Sequence, residues 1–349
     1  MAYTTVNKST DYFNTKLYTG NGSAGHAITG VGFAPDWTWI KNKGASAHHT
    51  VFDRVRGATK AIYTNQTDAE TTVSGHITAF GSDGFTLGDN SGKGSTNENG
   101  ATYVAWNWRA AGGTGSANSN GTISSTVSAN TTAGFSIVSY AGNSTAGATV
   151  GHGLSSAPTW IIGKNRTDAD SWFMYHGSIG GGATMSFNNS NAKDNNTAFW
   201  NNTSPSNTVF TLGNSTDANE TGKNYIAYCF TEVPGYSKFG SYKGNGYADG
   251  TFVYTGFKPA FVILKRTDAG SSNWQLNDTA RDNVNIAKKR LSPSTSDPEY
   301  TNLDMGDILS NGFKIKQTDQ TWNNSSGTYL YMAFGQSLVG SNNIPTTAR

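Results

Sequence analysis

Three sequence signatures recur in the same order along this 349-residue chain, and an internal repeat of this kind constrains the fold before any other feature is considered. The first is an aromatic turn, found as Tyr18-Thr-Gly-Asn-Gly22, Tyr140-Ala-Gly-Asn-Ser144 and Tyr242-Lys-Gly-Asn-Gly246. The second is a strand led by proline: Pro35-Asp-Trp-Thr-Trp-Ile-Lys41, Pro158-Thr-Trp-Ile-Ile-Gly-Lys164 and Pro259-Ala-Phe-Val-Ile-Leu-Lys265. The third closes each copy, as Tyr103-Val-Ala-Trp106, Tyr225-Ile-Ala-Tyr228 and Tyr331-Met-Ala-Phe334. The markers give spacings of 122 and 102, 123 and 101, and 122 and 106 residues. Each copy is therefore a domain-sized unit of roughly 100–120 residues, too long for a solenoid repeat of about 20–50.

The repeated segments read as strands. Side chains alternate along a strand, so Trp37 and Trp39 share a face, as do Trp160 and Ile162, and Phe261 and Ile263. The opposite faces are semi-apolar, as suits strands in the middle of a packed sheet. Proline opens the strand, where its missing N–H costs least. Ser82-Asp-Gly-Phe-Thr-Leu87 and Ser310-Asn-Gly-Phe-Lys-Ile315 carry hairpin turns; the second copy keeps only Val209-Phe-Thr-Leu212. Helical periodicity is confined to Thr67–Thr71 and Asp282–Lys288. The expected fold is all-β: three tandem β-sandwich (jelly-roll or concanavalin-like) domains in a row, at 1–115, 116–236 and 237–338, with a C-terminal tail at 339–349. A Gly/Ser-rich link at 110–118 joins the first two. The short Val233-Pro-Gly-Tyr236 joint favours fixed packing of the second against the third.

Composition excludes several classes of function. Charged residues are 14%, against about 25% in an ordinary domain, and the net charge is +2. No basic stripe points to nucleic acid, and no apolar run approaches the ~20 residues of a membrane span. The first residues, Met1 to Val6, do not read as a signal peptide. Cys229, the single cysteine, lies in a strand-like run and is expected to be a packed thiol. The 9 Trp, 16 Tyr and 17 Phe argue against disorder, which goes with few aromatics.

The chain carries no nucleophile elbow, Walker loop, zincin helix or cysteine pair for zinc. His48-His49 with Asp53 are adjacent rather than helically spaced, and the third copy has Trp274 where the first has His49, which favours packing over ligation. His152, between two glycines, reads as a surface histidine. Asp53 and Arg56 recur as Asp278 and Arg281, while the second copy has His176 in place of the aspartate. As an exposed pair pinning a turn, they would contribute about 0–1 kcal/mol, with a ligand clamp in two of the three copies as the alternative. Lys41, Lys164 and Lys265 end the Pro-led strands. Their stems are expected to cover a rim while their ammonium groups reach water, with a ring of anion-binding lysines as the alternative. Asp168-Ala-Asp170 and Asp304-Met-Gly-Asp307 are too sparse for a calcium loop. No carboxylate pair recurs at a glycosidase-like spacing, so the chain is expected to be no enzyme, with no catalytic, cofactor or metal residues; a polysaccharide hydrolase is the remote alternative. Tyr and Trp among small polar residues make adaptable binding loops. The second copy departs most from the others, around 171–202, so the binding candidates are Trp172, Tyr175, His176 and Trp200, together with Trp322; Tyr247 lies in a similar loop context.

Asp11-Tyr-Phe-Asn-Thr-Lys-Leu-Tyr-Thr-Gly-Asn-Gly22, Gly32-Phe-Ala-Pro-Asp-Trp-Thr-Trp-Ile-Lys41, Phe52-Asp-Arg-Val-Arg-Gly57, Ser82-Asp-Gly-Phe85, Tyr103-Val-Ala-Trp-Asn-Trp108 and Ile344-Pro-Thr-Thr-Ala-Arg349 resemble, as a set, a family of structural or tail-fibre-like proteins of tailed phages, especially marine ones. The resemblance implies repeated concanavalin-like units and a place on the external surface of a virion. It brings no catalytic residues. The expected role is a tail-fibre or receptor-binding component attaching to host surface glycans, with capsid decoration as the alternative. The expected partners are other virion proteins, host surface polysaccharide and further copies of the chain, with no nucleic acid, membrane or cofactor. Three copies in one chain could also stand in for a trimer.

Overall fold

The structure, a computed structural model, describes residues 4–337, so the tail at 339–349 and the Ile344–Arg349 motif lie outside the described residues. The fold is all-β and built of antiparallel sheets. In each copy a large sheet sets the Pro-led strand beside the closing strand. The first copy orders Phe13–Thr19, Thr102–Trp108, Trp37–Asn42, Thr50–Asp53 and Gly57–Tyr63 across its sheet. The second repeats this with Phe135–Ala141, Asn224–Phe230, Trp160–Asn165 and Phe173–His176, and the third with Ser237–Lys243, Thr328–Ser337, Phe257–Arg266 and Gln275–Asp278. The Gly/Ser-rich link contributes Ser116–Asn118, which pairs with Ser125–Asn130 and extends the second copy's sheet.

Register corrects one marker. Trp37 pairs with Trp108, Trp160 with Phe230 and Phe261 with Phe334. The third-copy equivalent of Tyr103 and Tyr225 is therefore Tyr329, not Tyr331. A slip of two residues keeps every side chain on its face, so alternation alone cannot detect it. Stacked tyrosines fix the match: Tyr18 on Tyr103, Tyr140 on Tyr225 and Tyr242 on Tyr329, at 5.0, 5.2 and 4.9 Å. A buried asparagine stands six residues before each closing tyrosine, at Asn97, Asn219 and Asn323. Its Oδ1 accepts the N–H of Asn21, Asn143 or Asn245 in the aromatic turn, at 3.0, 2.9 and 2.9 Å.

A smaller sheet lies outside each large one. It contains His26–Thr29, Gly84–Leu87 and Ile77–Phe80 in the first copy, and Phe252–Tyr254, Gly312–Ile315 and Gly306–Leu309 in the third. The two hairpins predicted from Asp-Gly and Asn-Gly are both present. The second copy, without that turn, keeps the two-stranded pair Thr149–Gly151 and Val209–Thr211.

The large sheets use both faces. One face packs against the copy's own small sheet, as Ile40, Phe52, Tyr103 and Ala105 do with Ile28, Ile77 and Phe85. The other enters a single cluster drawn from all three copies, including Trp37, Trp39, Trp106 and Trp108, then Phe135, Trp160 and Phe230, then Phe239, Phe261 and Phe334. A row of separate units would leave these faces in water. Here they cover one another. Ala110, Val233 and Tyr236 of the two links are buried in the same cluster, so the links are part of the core.

The predicted helical turns are absent. Glu70 N donates to Arg166 O of the second copy, 3.0 Å, instead of to its own preceding turn. Asp282 Oδ2 takes the N–H groups of Lys288 and Lys289, drawing 282–289 into a side-chain-closed loop. The described helices are Thr216–Asn219 and a 3-10 turn at Ser9–Asp11. Cys229 is a buried free thiol, as its strand context suggested.

Candidate functional site

The repeated Asp–Arg pair is interior, which corrects the expectation of an exposed turn. Asp53 Oδ1 accepts the Arg56 N–H at 2.8 Å, and Asp53 Oδ2 accepts Arg56 Nε and, at 2.7 Å, Tyr228 OH of the second copy. Asp278 accepts Arg281 N at 2.9 Å and Arg281 Nε at 2.5 Å, and takes Trp106 Nε1 of the first copy at 3.0 Å. Glu70 and Glu299 pair with the outer guanidinium nitrogens, at 3.2 and 2.8 Å. All four Asp and Arg side chains are fully buried. In the second copy the equivalent positions hold His176, Ile179 and Lys193, and Met332 of the third copy stands where Tyr228 and Trp106 stand. Charge and donor are lost together, so the network is either complete or absent, as burial requires.

These contacts run one way round a closed ring. Glu70 N of the first copy donates to Arg166 O of the second, Lys193 N of the second to Thr267 O of the third, and Glu299 N of the third to Lys43 O of the first, at 3.0, 2.9 and 2.8 Å. Such a head-to-tail interface closes when its rotation returns to the start.

The five binding candidates all lie within this interior, each at most 4% exposed. Trp172 bridges a seam, donating Nε1 to Tyr63 O at 2.8 Å. Tyr175 and Trp200 meet edge to face at 5.7 Å in the second copy's own cluster. His176 packs on Trp160 at 5.3 Å. Trp322 fills the third copy's cluster, its carbonyl bound by Tyr242 OH at 2.8 Å. A ring without exposed area cannot stack on an external ligand. Within the 171–202 segment, Phe173, Tyr175 and Trp200 fill the second copy's own cluster, while Trp172 and Phe187 enter the shared one.

The strand-end lysines and His152 are also corrected. Lys41 Nζ donates to Asn42 O and Ala45 O, Lys164 Nζ to Asn165 O and Asp168 O, and Lys265 Nζ to Ser190 O, Asn191 O and Arg266 O. All three lysines are buried, and burial pulls each to about 8. They tie down loop carbonyls and do not reach water. His152 is buried too, with Leu154 N donating to its Nδ1 at 3.1 Å. His49 accepts Trp39 Nε1 at 3.0 Å, the packing role that its exchange with Trp274 implied.

Burial pulls the imidazoles of His76 and His176 down to about 4, from 6.5. Between those values the unfolded chain binds more protons than the folded one, so stability falls as pH drops from 6.5 towards 4. The expected loss is about 3 kcal/mol for each imidazole. Urea unfolding at neutral and acidic pH measures it, and His176→Gln should flatten the dependence; an equal slope in that variant would contradict the assignment.

What the copies do not share is their exposed surface. Among the described residues, six of the seven exposed large apolar side chains belong to the third copy: Tyr247, Phe252, Tyr254, Val284, Tyr300 and Leu303. Tyr247, Phe252 and Tyr254 are 72%, 44% and 55% exposed. The shared Asx turn places Ser23 and Thr145 at the position of Tyr247. Register matches Val253 with Ile28 and Val150, each opposite a buried phenylalanine, so Phe252 and Tyr254 replace Ala27 and Thr29, or Thr149 and Gly151. Phe252 and Tyr254 lie on the outward face of an edge strand. A Cβ on Gly312 would lie 2.1 Å from Val253 O and 3.0 Å from the Phe252 ring, so only glycine fits beside this edge strand. Lys314, opposite Phe252, pairs with Asp249 at 2.6 Å. Lys238 Nζ lies 5.2 Å from the Tyr254 ring centre. A groove of about 350 Å3, lined by Glu232, Lys238 and Tyr254 among others, opens beside it. Apolar ring faces edged by charged hydrogen-bonding groups suit ligands with both apolar and hydroxylated faces.

Residues 8–337 match a family described as a domain of unknown function (DUF7483). No curated protein and no solved structure matches the chain.

Proposed function

We propose, for a chain that belongs to the DUF7483 family, a role as an external virion protein that attaches to host surface glycans as part of a tail fibre or receptor-binding head. The observation that carries this reading is the aromatic surface confined to the third copy. The first two copies place small or polar residues at the same positions, so the fold does not require aromatics there. Three sandwich units of jelly-roll or concanavalin type, bounded at 1–115, 116–236 and 237–338, form the scaffold in this reading. The motifs that resemble tailed-phage structural proteins support the virion assignment. Other virion proteins and further copies of the chain are the assembly partners.

The test is binding of the full chain to a glycan array and to host cells. Phe252→Ala combined with Tyr254→Ala should weaken binding by tenfold or more, since each stacked aromatic contributes on the order of 1 kcal/mol. Both side chains are exposed, so stability should change by about 0.5 kcal/mol or less. Absence of any glycan signal, or unchanged binding by the double variant, would remove the reading. The aliphatic Val284 and Leu303 on the same copy favour a second reading, docking on another virion protein as a decoration. Labelled particles separate the two: few copies at the tail tip support attachment, and many over the shell support decoration.

A further inference from the structure

We propose that the seam between the third and first copies holds a second binding site, for a small neutral polyhydroxylated molecule of monosaccharide size, with His76 and Thr50 as its inner contacts. A groove of about 410 Å3 opens there, lined by His48, Asn90, Lys93, Ser95 and Glu98 of the first copy and Ser296 of the third. Its size lies in the lower part of the range for small-molecule sites. Ser46 Oγ meets Ser296 Oγ at 3.1 Å, and Ala47 N donates to Ser296 O at 2.9 Å, so the two copies are fastened at its edge.

The groove wall is particular to the first copy. Asn97 and Asn219 are equivalent, and their side chains donate to Gly88 O and Gly213 O at 2.6 and 2.7 Å. The first copy thus runs nine residues from that glycine to the asparagine, and the second runs six. The longer loop carries Ser91-Gly-Lys-Gly94, with Gly92 and Gly94 at φ of 103° and 106°. Gly94 separates the groove from a buried polar cluster. A Cβ there would lie 2.8 Å from His76 Cε1 and 3.1 Å from Thr50 Oγ1. The N–C–N edge of the imidazole therefore faces Gly94.

No protein group partners that cluster: His76 Nδ1, His76 Nε2 and Thr50 Oγ1 make no hydrogen bond to another protein atom, and both residues are fully buried. Orphaned buried polar atoms are costly and call for an explanation. The third copy fills the place of His76 with the apolar Met305, so the fold does not need a histidine there. Burial holds His76 neutral, leaving one ring nitrogen to donate and one to accept. A hydroxyl-bearing ligand can serve both. Lys93 is occupied by Asp68 and by the Tyr63 ring, and Glu98 adds a negative charge, so the groove has no free cation for an anion. Among the described residues no group of three metal-ligating side chains forms, which removes a cation. In this reading the loop, turning at Gly92 and Gly94, lifts to bring a ligand hydroxyl to His76.

The test titrates the full chain with glucose, galactose and N-acetylglucosamine while following the His76 ring by histidine-selective NMR. At least one sugar should shift the ring resonances saturably. His76→Met, which installs the third copy's residue, should keep the fold and bind about tenfold more weakly or worse. Running the titration in the Phe252→Ala/Tyr254→Ala background separates this site from the third-copy surface. A His76 ring unmoved by every sugar, as for an ordered water only, overturns the proposal, and so does undiminished binding by His76→Met.

Discussion

Asp278→Ala is expected to destabilise the fold by about 3–5 kcal/mol, because it leaves the fully buried Arg281 without its nearest counter-charge and orphans Trp106 Nε1. Against a typical total of about 5–15 kcal/mol, that loss is large. The second copy shows how the same position is built without a buried ion pair, with His176 and Ile179 in place of the aspartate and arginine and an exposed Lys193 in place of the glutamate. Asp278→His with Arg281→Ile and Glu299→Lys carries those three residues into the third copy and removes the buried charge, with Trp106 Nε1 facing the new imidazole as its acceptor. The triple variant should recover at least half of the loss, although it changes three residues instead of one. Chemical denaturation of both variants decides the matter. A triple variant as unstable as the single one would mean that the cost lies in packing rather than in an unpaired charge.

Trp108→Ala is expected to cost a similar amount, about 3–5 kcal/mol, and to lower one melting transition shared by all three copies. Trp108 meets the tilted ring of Trp37 at 4.3 Å and the rings of Phe261 and Phe334 edge to face at 5.5 and 5.7 Å, so its removal opens a cavity between the first and third copies. Calorimetry with hydrogen exchange reports on each copy. The same core predicts that residues 1–115 alone do not fold, since Trp37, Trp39, Trp106 and Trp108 would face water. A third copy that melts at its original temperature in Trp108→Ala would refute a common core.

Much of the architecture was legible in the sequence because repeats serve as controls on one another. The strand faces and the hairpins follow from period two and turn chemistry, and Pro35 and Pro158 stand just before their strands as expected, whereas Pro259 lies within Phe257–Arg266 at a register shift. Other features were hidden for physical reasons. An apolar strand face looks the same whether it covers a private core or a shared one, so the central cluster left no separate trace. Trp200 sits among Asn, Thr and Ser, and Trp172 follows Asp170-Ser171, which suggests exposed loops, yet the chain folds back at both places and buries the rings. Phe252-Val-Tyr254 reads as a strand with its aromatics inward. Only alignment with Ala27-Ile28-Thr29 inverts it, placing valine in the core and the two rings outside. The recurrence of Asn97, Asn219 and Asn323 before each closing tyrosine was also available, and it would have fixed the register that Tyr331 misplaced.

The closed ring of seams alters how this protein can vary. In an assembly of three identical chains, every substitution enters three seams at once, so a change tolerated at one and harmful at another is lost. Here each seam has its own address in a single chain. The Asp–Arg network could disappear from the second copy, while aromatics collected on the third and a longer loop grew on the first. Ser9 N also donates to Gln336 Oε1 at 2.9 Å, so the 3-10 turn that begins the ring is fastened to the strand that ends it. The exposed Gly113-Thr114 step of the first joint is thus a place where the chain could be reopened and its order permuted, whereas Val233 and Tyr236 of the second joint are held in the core.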